Sequence, residues 1–151
     1  MVSDEAIYTL GTSDRTAEEF LALLGSLGVE LVVDVRRFPT SRFEHFKREE
    51  LKRLLEGGGF SYIYLGEELG GYRRKGYEAY VGTEEFQHGL ERLEELARQM
   101  RVVILCAERL PWRCHRRFIG RELEREGFRV EHIIDEKRRW VPRSDISGTV
   151  A

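Results

Sequence analysis

Both cysteines of the chain fall in the stretch "ILCAERLPWRCHRRF" (104–118), with a glutamate, a histidine and four arginines. Three chemistries fit these residue types. In the first, Cys106 closes a buried strand and faces the N-terminus of the next helix, where backbone N–H groups lower a thiol pKa and make a nucleophile. Its bland counterpart is a small buried apolar residue, the usual place of a free cysteine. In the second, Cys106, Cys114 and His115 hold a metal with Glu108 or His45 as fourth ligand, but C-x7-C-H is not a zinc-knuckle spacing and no CxxC pair accompanies it. We therefore assign no metal, and the residues name no cofactor. In the third, Arg36, Arg37, Arg42, Arg113, Arg116 and Arg117 flank a helix N-terminus and hold a phosphate or another oxyanion, with Tyr72, Tyr77 and Trp112 available to stack on a base. A solvated arginine surface is the alternative. The tyrosine-phosphatase loop needs C-x5-R, and here Trp112 holds that place and the arginine is Arg113.

Carboxylates complete the candidate set. Asp34 caps the next loop or pairs with Arg36; alternatively it joins Glu68 or Glu108 as the acid and base of a hydrolytic reaction. The expected site comprises Cys106, Glu108 and Asp34 as chemical groups and Ser13, Arg36, Glu68, Arg113, His115 and Arg116 as substrate contacts. Cys114 packs, or supports His115.

The elements that must position these residues alternate strand and helix. "AIYTLG" (6–11) is a β-rich run, and Phe20, Leu23, Leu24 and Leu27 share one helical stripe, with Thr16 and Glu19 forming a capping box and Gly28 ending the helix. "LVVDVR" (31–36) is an apolar strand ending in charge, of the kind buried on both faces of a parallel sheet. A helix over 47–56, the strand "SYIYL" (61–65), a long loop over 66–82, a helix from Thr83 to 99, and the strand "RVVILCA" (101–107) follow. A helix from Pro111 to Gly127 and the strand "RVEHII" (129–134) complete the pattern. The fold class is α/β: residues 1–136 form a single domain with a parallel or mostly parallel five-stranded sheet flanked by helices, and 137–151 form an arginine-containing tail. Ligands of such sheets bind beyond the strand carboxyl ends. The segments there are "GTSDR" (11–15), "DVRRFPTSRF" (34–43), "GEELGGYRRK" (66–75) and "CAERLPWRCHRR" (106–117), which hold most of the unusual polar chemistry.

At 151 residues the chain can bury a core without disulfides, and two cysteines are too few for a disulfide framework. The absence of Asn, the presence of only two Gln and an excess of Arg over Lys fit a thermophile-like composition or a GC-rich genome. A net charge of −2 argues against bulk nucleic-acid binding, yet residues 36–53 and 101–125 each hold seven Lys or Arg against three Glu. No segment approaches the ~18 apolar residues of a membrane span. We expect a soluble, cytoplasmic protein.

"YTLGTSDRTAEEFLALLGSLGVELVVDVRRFPTSR", "LGEELGG" and "LCAERLPWRCHRRFIGRELEREGFRVEHI" together resemble the DUF488 family of uncharacterised bacterial and archaeal proteins. The resemblance runs from Tyr8 to about Ile133 and rests on Tyr-Thr-x-Gly-x-Ser, Asp-Val-Arg-x-x-Pro, Leu-Gly-Gly and Cys-Ala-Glu followed by Cys-His-Arg; Thr12 stands where the family commonly shows His. It implies an α/β domain with these motifs around one site and no established reaction. Rhodanese domains are more weakly similar, since they also pair a strand ending in Asp-Val-Arg with a later cysteine, but their cysteine loop is of small residues and "CAERLPWR" is bulky and charged. The functional expectation is a hydrolase or transferase on a phosphate-bearing substrate such as a nucleotide or nucleic acid. A non-catalytic nucleic-acid-binding module and a cysteine-dependent rhodanese-like enzyme are the alternatives.

Overall fold

A computed structural model describes residues 6–39 and 41–142. Strand β1 (Ile7–Gly11) leads into helix α1 (Ala17–Leu27), whose capping box between Thr16 and Glu19 forms as the sequence predicts, and Gly28 closes it in the left-handed conformation. Strand β2 (Leu31–Asp34) is followed by a 3-10 turn (Glu44–Phe46), helix α2 (Arg48–Gly57) and strand β3 (Ser61–Tyr64). Two short helices, α3 (Gly66–Leu69) and α4 (Tyr77–Val81), precede the long helix α5 (Glu84–Gln99). Strand β4 (Val102–Cys106), a second 3-10 turn (Pro111–Arg113), helix α6 (Arg116–Arg125), strand β5 (Val130–Ile133) and strand β6 (Arg139–Trp140) complete the order.

The six strands lie in the order β3-β2-β4-β1-β5-β6, all parallel except β6, which runs antiparallel to β5. The α/β class holds, with six strands where five were expected. The sixth is two residues at the head of the expected tail, too short to show a period of two; residues 143–151 of that tail lie outside the described residues. The segment 66–82 is not an open loop either. Helices this short do not persist on propensity, and here Tyr77 and Tyr80 donate their hydroxyls to the carbonyls of Leu69 (2.7 Å) and Glu68 (2.6 Å). Pro111 heads the 3-10 turn rather than α6, because Cys114 breaks the helical path with an extended backbone (φ −126°, ψ 149°).

Side chains alternate across the sheet. Leu10, Val32, Val103, Leu105 and Ile133 point to the face covered by α1 and α2. Ile7, Val33, Val102, Ile104, Cys106 and Val130 point to the face covered by α5 and α6. No helix among the described residues is long and apolar enough to cross a membrane.

The carboxyl ends of β1 and β4 are locked together. The amides of Thr12 and Ser13 donate to the carbonyls of Cys106 (2.8 Å) and Ala107 (2.9 Å), and a β-carbon at Gly11 would overlap the Glu108 carbonyl. Gly11→Ala is therefore expected to cost about 1–3 kcal/mol through forced backbone displacement, read as a lower midpoint in urea unfolding.

Candidate functional site

Parity and register decide which sequence-predicted residues meet. Cys106 ends β4 on the α5/α6 face. In the register of the sheet Thr9 lies opposite Ile104 and His132 opposite Thr9, so both share that face. Asp34 is in register with Leu105 and so points to the opposite face. There its carboxylate is fully engaged, accepting from Arg36 Nε (2.8 Å), Arg36 Nη2 (2.9 Å), the Arg36 amide (3.1 Å) and the Tyr62 hydroxyl (2.6 Å). Arg36 donates its remaining nitrogen to the Phe46 carbonyl (2.6 Å). Burial, with the Asp34 carboxylate beside it, pushes the Tyr62 hydroxyl far up. Asp34 and Arg36 thus join β2 to the α2 side of the molecule.

The other side of the β4 terminus holds an unusual cation. Arg116, from the first turn of α6, has 0% exposure, and among the described residues its guanidinium pairs with no carboxylate. Nη1 lies 2.7 Å from Cys106 Sγ and also donates to the Glu108 carbonyl; Nη2 donates to the Arg109 carbonyl (3.1 Å) and Nε to Thr9 Oγ1 (2.9 Å). Because Thr9 Oγ1 accepts from Arg116, its hydrogen is free for His132 Nδ1, 2.6 Å away. Burial holds His132 down at about 3, so the ring is neutral and accepts. Trp140 of β6 packs on this imidazole (5.2 Å between centroids), closing the network from the far side.

Cys114 Sγ sits 2.8 Å from Cys106 Sγ, both thiols free. Burial raises the Cys106 pKa, but the Cys114 thiol and the Arg116 guanidinium more than offset it and leave Cys106 at about 7. Cys114 moves well above its ordinary value, because its proton is held against Cys106 and because it is buried. The guanidinium lies against Cys106 Sγ, which favours ionisation of the pair at that sulfur. His115 Nε2 lies 3.2 Å from the Val35 carbonyl, which can only accept, so the proton is on Nε2 and Nδ1 is bare, 3.6 Å from Cys114 Sγ. Burial holds His115 at about 4.

Both sulfurs open onto a cleft of about 670 Å³ lined by Arg37, Phe38, Tyr72, Glu108, Arg113 and His115 among others. Glu108 is the one carboxylate of this wall, with Oε2 accepting from the Leu110 amide (3.0 Å). Arg113 is exposed beside it. Arg37 donates to the Tyr72 carbonyl (2.9 Å), joining the two rims, and Phe38 and Tyr72, 60% and 84% exposed, face each other at the mouth (5.9 Å). The rims approach closely because a β-carbon at Gly70 would overlap Arg37, and one at Gly71 would crowd the His115 ring.

The model of a domain of unknown function, DUF488, matches residues 16–123. The chain belongs to the DUF488 family. No curated protein and no solved structure matches it significantly. The matched span takes in Cys106, Cys114 and Arg116 but leaves out β1, β5 and β6. In this DUF488 chain Thr9, His132 and Trp140, which support the buried guanidinium from outside the match, were not anticipated from sequence. Ser13 and Glu68 do not line the cleft: Ser13 Oγ accepts from Arg109 Nε (3.2 Å), and Glu68 lies against α5 beside Gly89. Arg116 lies in the interior behind the cleft wall. Of the metal candidates, Cys106, Cys114 and His115 meet, but no group of three or more His, Cys, Asp or Glu suited to a metal ion occurs among the described residues.

Three outcomes follow from this geometry. Alkylation of Cys106, located by peptide mass, should titrate near pH 7, and Arg116→Met should move the midpoint above ~8.5, the value of a free thiol. Since folding lowers this pKa, its stabilisation is present above ~8.5 and lost as pH falls through about 7; chemical unfolding should show stability rising across that window in the wild type and not in Arg116→Met. Asp34→Asn leaves Arg36 buried without its charge partner and should cost about 3–5 kcal/mol while leaving the alkylation midpoint in place, because the two groups lie on opposite faces of the sheet.

Proposed function

We propose that this protein is a cysteine-dependent hydrolase or transferase acting on a phosphate-bearing substrate such as a nucleotide. The observation that carries this reading is the fully buried Arg116 guanidinium 2.7 Å from Cys106 Sγ with no carboxylate partner among the described residues. A buried cation needs a counter-anion, and the thiolate supplies it.

Cys106 then acts as nucleophile. Its sulfur attacks phosphorus, the bond to the leaving oxygen breaks, and a thiophosphoryl cysteine forms. Transfer to water or to an acceptor hydroxyl returns the thiolate to Arg116. Glu108, the carboxyl group of the cleft wall, is placed to pass a proton to the leaving oxygen. Arg37 and Arg113 provide cationic donors for the phosphoryl oxygens. Phe38 and Tyr72 present exposed ring faces at the mouth, suited to stacking on a base. Asp34 and Arg36, bound to each other, take no part in the chemistry.

The test is turnover of a panel of nucleotides and phosphate esters by wild type, Cys106→Ser and Glu108→Gln, read as released phosphate or transferred phosphoryl group. Cys106→Ser should lose at least about 10³-fold in kcat/KM and Glu108→Gln about 10²-fold, with wild-type kcat/KM rising with pH through about 7. Undiminished turnover by Cys106→Ser rejects the nucleophile. Binding without any chemical change, weakening steeply with salt, identifies a non-catalytic nucleic-acid module instead.

A further inference from the structure

The second sulfur has no task in the reaction above beyond donating a proton to the first. Cys114 is 8% exposed and Cys106 2%. Their sulfurs are 2.8 Å apart, whereas a disulfide needs ~2.05 Å, so roughly 0.8 Å of closure separates the dithiol from the bonded pair. The chain between them is eight residues on and includes the short Pro111–Arg113 turn, after which Cys114 is extended and lies outside any helix. Cys114 is thus held by a turn on one side and the start of α6 on the other, its amide donating to the Pro111 carbonyl (3.1 Å) and its carbonyl accepting from the Arg117 amide (3.2 Å). Both sulfurs border the cleft, so a small oxidant that enters it meets them.

We propose that Cys106 and Cys114 form a two-electron redox couple that reduces a small hydroperoxide, with Cys114 as the resolving thiol. It rests on the same Cys106 thiolate as the proposed function. The thiolate attacks one peroxide oxygen, the O–O bond breaks, and the departing hydroxide takes a proton from solvent, leaving Cys106 as the sulfenic acid. Cys114 Sγ then attacks Cys106 Sγ, the S–O bond breaks, and the hydroxide leaves as water with the Cys114 proton. In sum, two thiols and one hydrogen peroxide give a disulfide and two waters. An external dithiol reductant returns the pair to its reduced state by exchange.

The buried guanidinium gives this couple a distinguishing property. Oxidation removes the thiolate and leaves Arg116 enclosed without a counter-anion among the described residues, a cost that exceeds the moderate gain from constraining the unfolded chain across so short a loop. The oxidised protein should therefore be less stable than the reduced one, the reverse of an ordinary structural disulfide, and the disulfide readily reducible.

The experiment treats the reduced full chain with one equivalent of hydrogen peroxide, in the absence of any phosphate ester, and reads free thiols, intact mass and Tm. The expected result is loss of both free thiols, a monomer lighter by two hydrogens, a Tm lower by several degrees, and full recovery with dithiothreitol. Dimedone, which traps sulfenic acid, should label Cys114→Ser strongly and wild type weakly. Two free thiols persisting after peroxide, or equal dimedone labelling of the two proteins, overturns the proposal. A chain that forms the disulfide yet turns over no phosphate ester rejects the proposed function alone; one that turns over an ester through Cys106 while keeping both thiols rejects the couple alone.

Discussion

The arrangement of this protein depends on a guanidinium placed where water cannot reach it. Burying a cation carries a large desolvation penalty, and the interior tolerates it only with a full set of acceptors. Arg116 finds them in four directions: the Cys106 sulfur, the Thr9 hydroxyl and the carbonyls of Glu108 and Arg109. Those acceptors come from β1, the end of β4 and the loop after it. One side chain therefore organises the β4–α6 corner and sets the ionisation of the thiol. Arg15, by comparison, is also buried but donates to the carbonyls of Gly11 and Ile134 and touches no sulfur. It fastens the fold at the same edge without creating a reactive group.

The sheet separates two charge systems that sit at the ends of neighbouring strands. Asp34 and Cys106 end neighbouring strands, yet the half-period between Leu105 and Cys106 sends them to opposite faces. On one face a carboxylate and Arg36 neutralise each other and bind the 3-10 turn before α2 to the sheet through the Phe46 carbonyl. On the other, Arg116 has no carboxylate partner among the described residues and lies against the Cys106 sulfur. The first arrangement holds a group that is ionised anyway, and the second lowers the pKa of a thiol, with similar side chains. What differs is whether the anionic partner is already an anion in water or has to be made one.

Much of the fold was legible because local rules agree along the chain. The apolar runs at 31–34 and 102–106, the capping box at Thr16 and the stripes of α1 and α5 are short-range signals, and each element formed close to its expected bounds. The gathering of Cys106, Glu108, Arg113, Cys114 and His115 at the strand carboxyl edge was legible for the same reason, since the rule for parallel sheets needs only the strand ends. The missing part was register. Parity tells which residues of one strand share a face, but placing Asp34 against Leu105, or Thr9 against His132, requires knowing how strands far apart in sequence align. Arg116 reads as a substrate contact because six arginines in two segments look alike in sequence; only depth distinguishes the one that the core encloses. β6 escaped notice because two residues carry no period, although Trp140 closes the network behind Thr9 and His132.

The cleft is graded from a rigid floor to an exposed rim, and that grading sets where chemistry and selectivity can differ. At the floor, the sulfurs, Arg116 and His115 are fixed by strands, the head of α6 and hydrogen bonds to main-chain carbonyls. At the rim, Phe38 and Tyr72 stand on loops, and Tyr72 holds a left-handed backbone (φ 60°) that a residue with a side chain adopts only under constraint. The Arg37 bond to the Tyr72 carbonyl is one such constraint, reaching across the mouth to the strained residue itself. Binding surfaces on loops held by a firm scaffold can change without disturbing the core beneath them. The chemistry proposed for the thiols is thus tied to the sheet, while the opening above them is bordered by two loops joined by a single arginine.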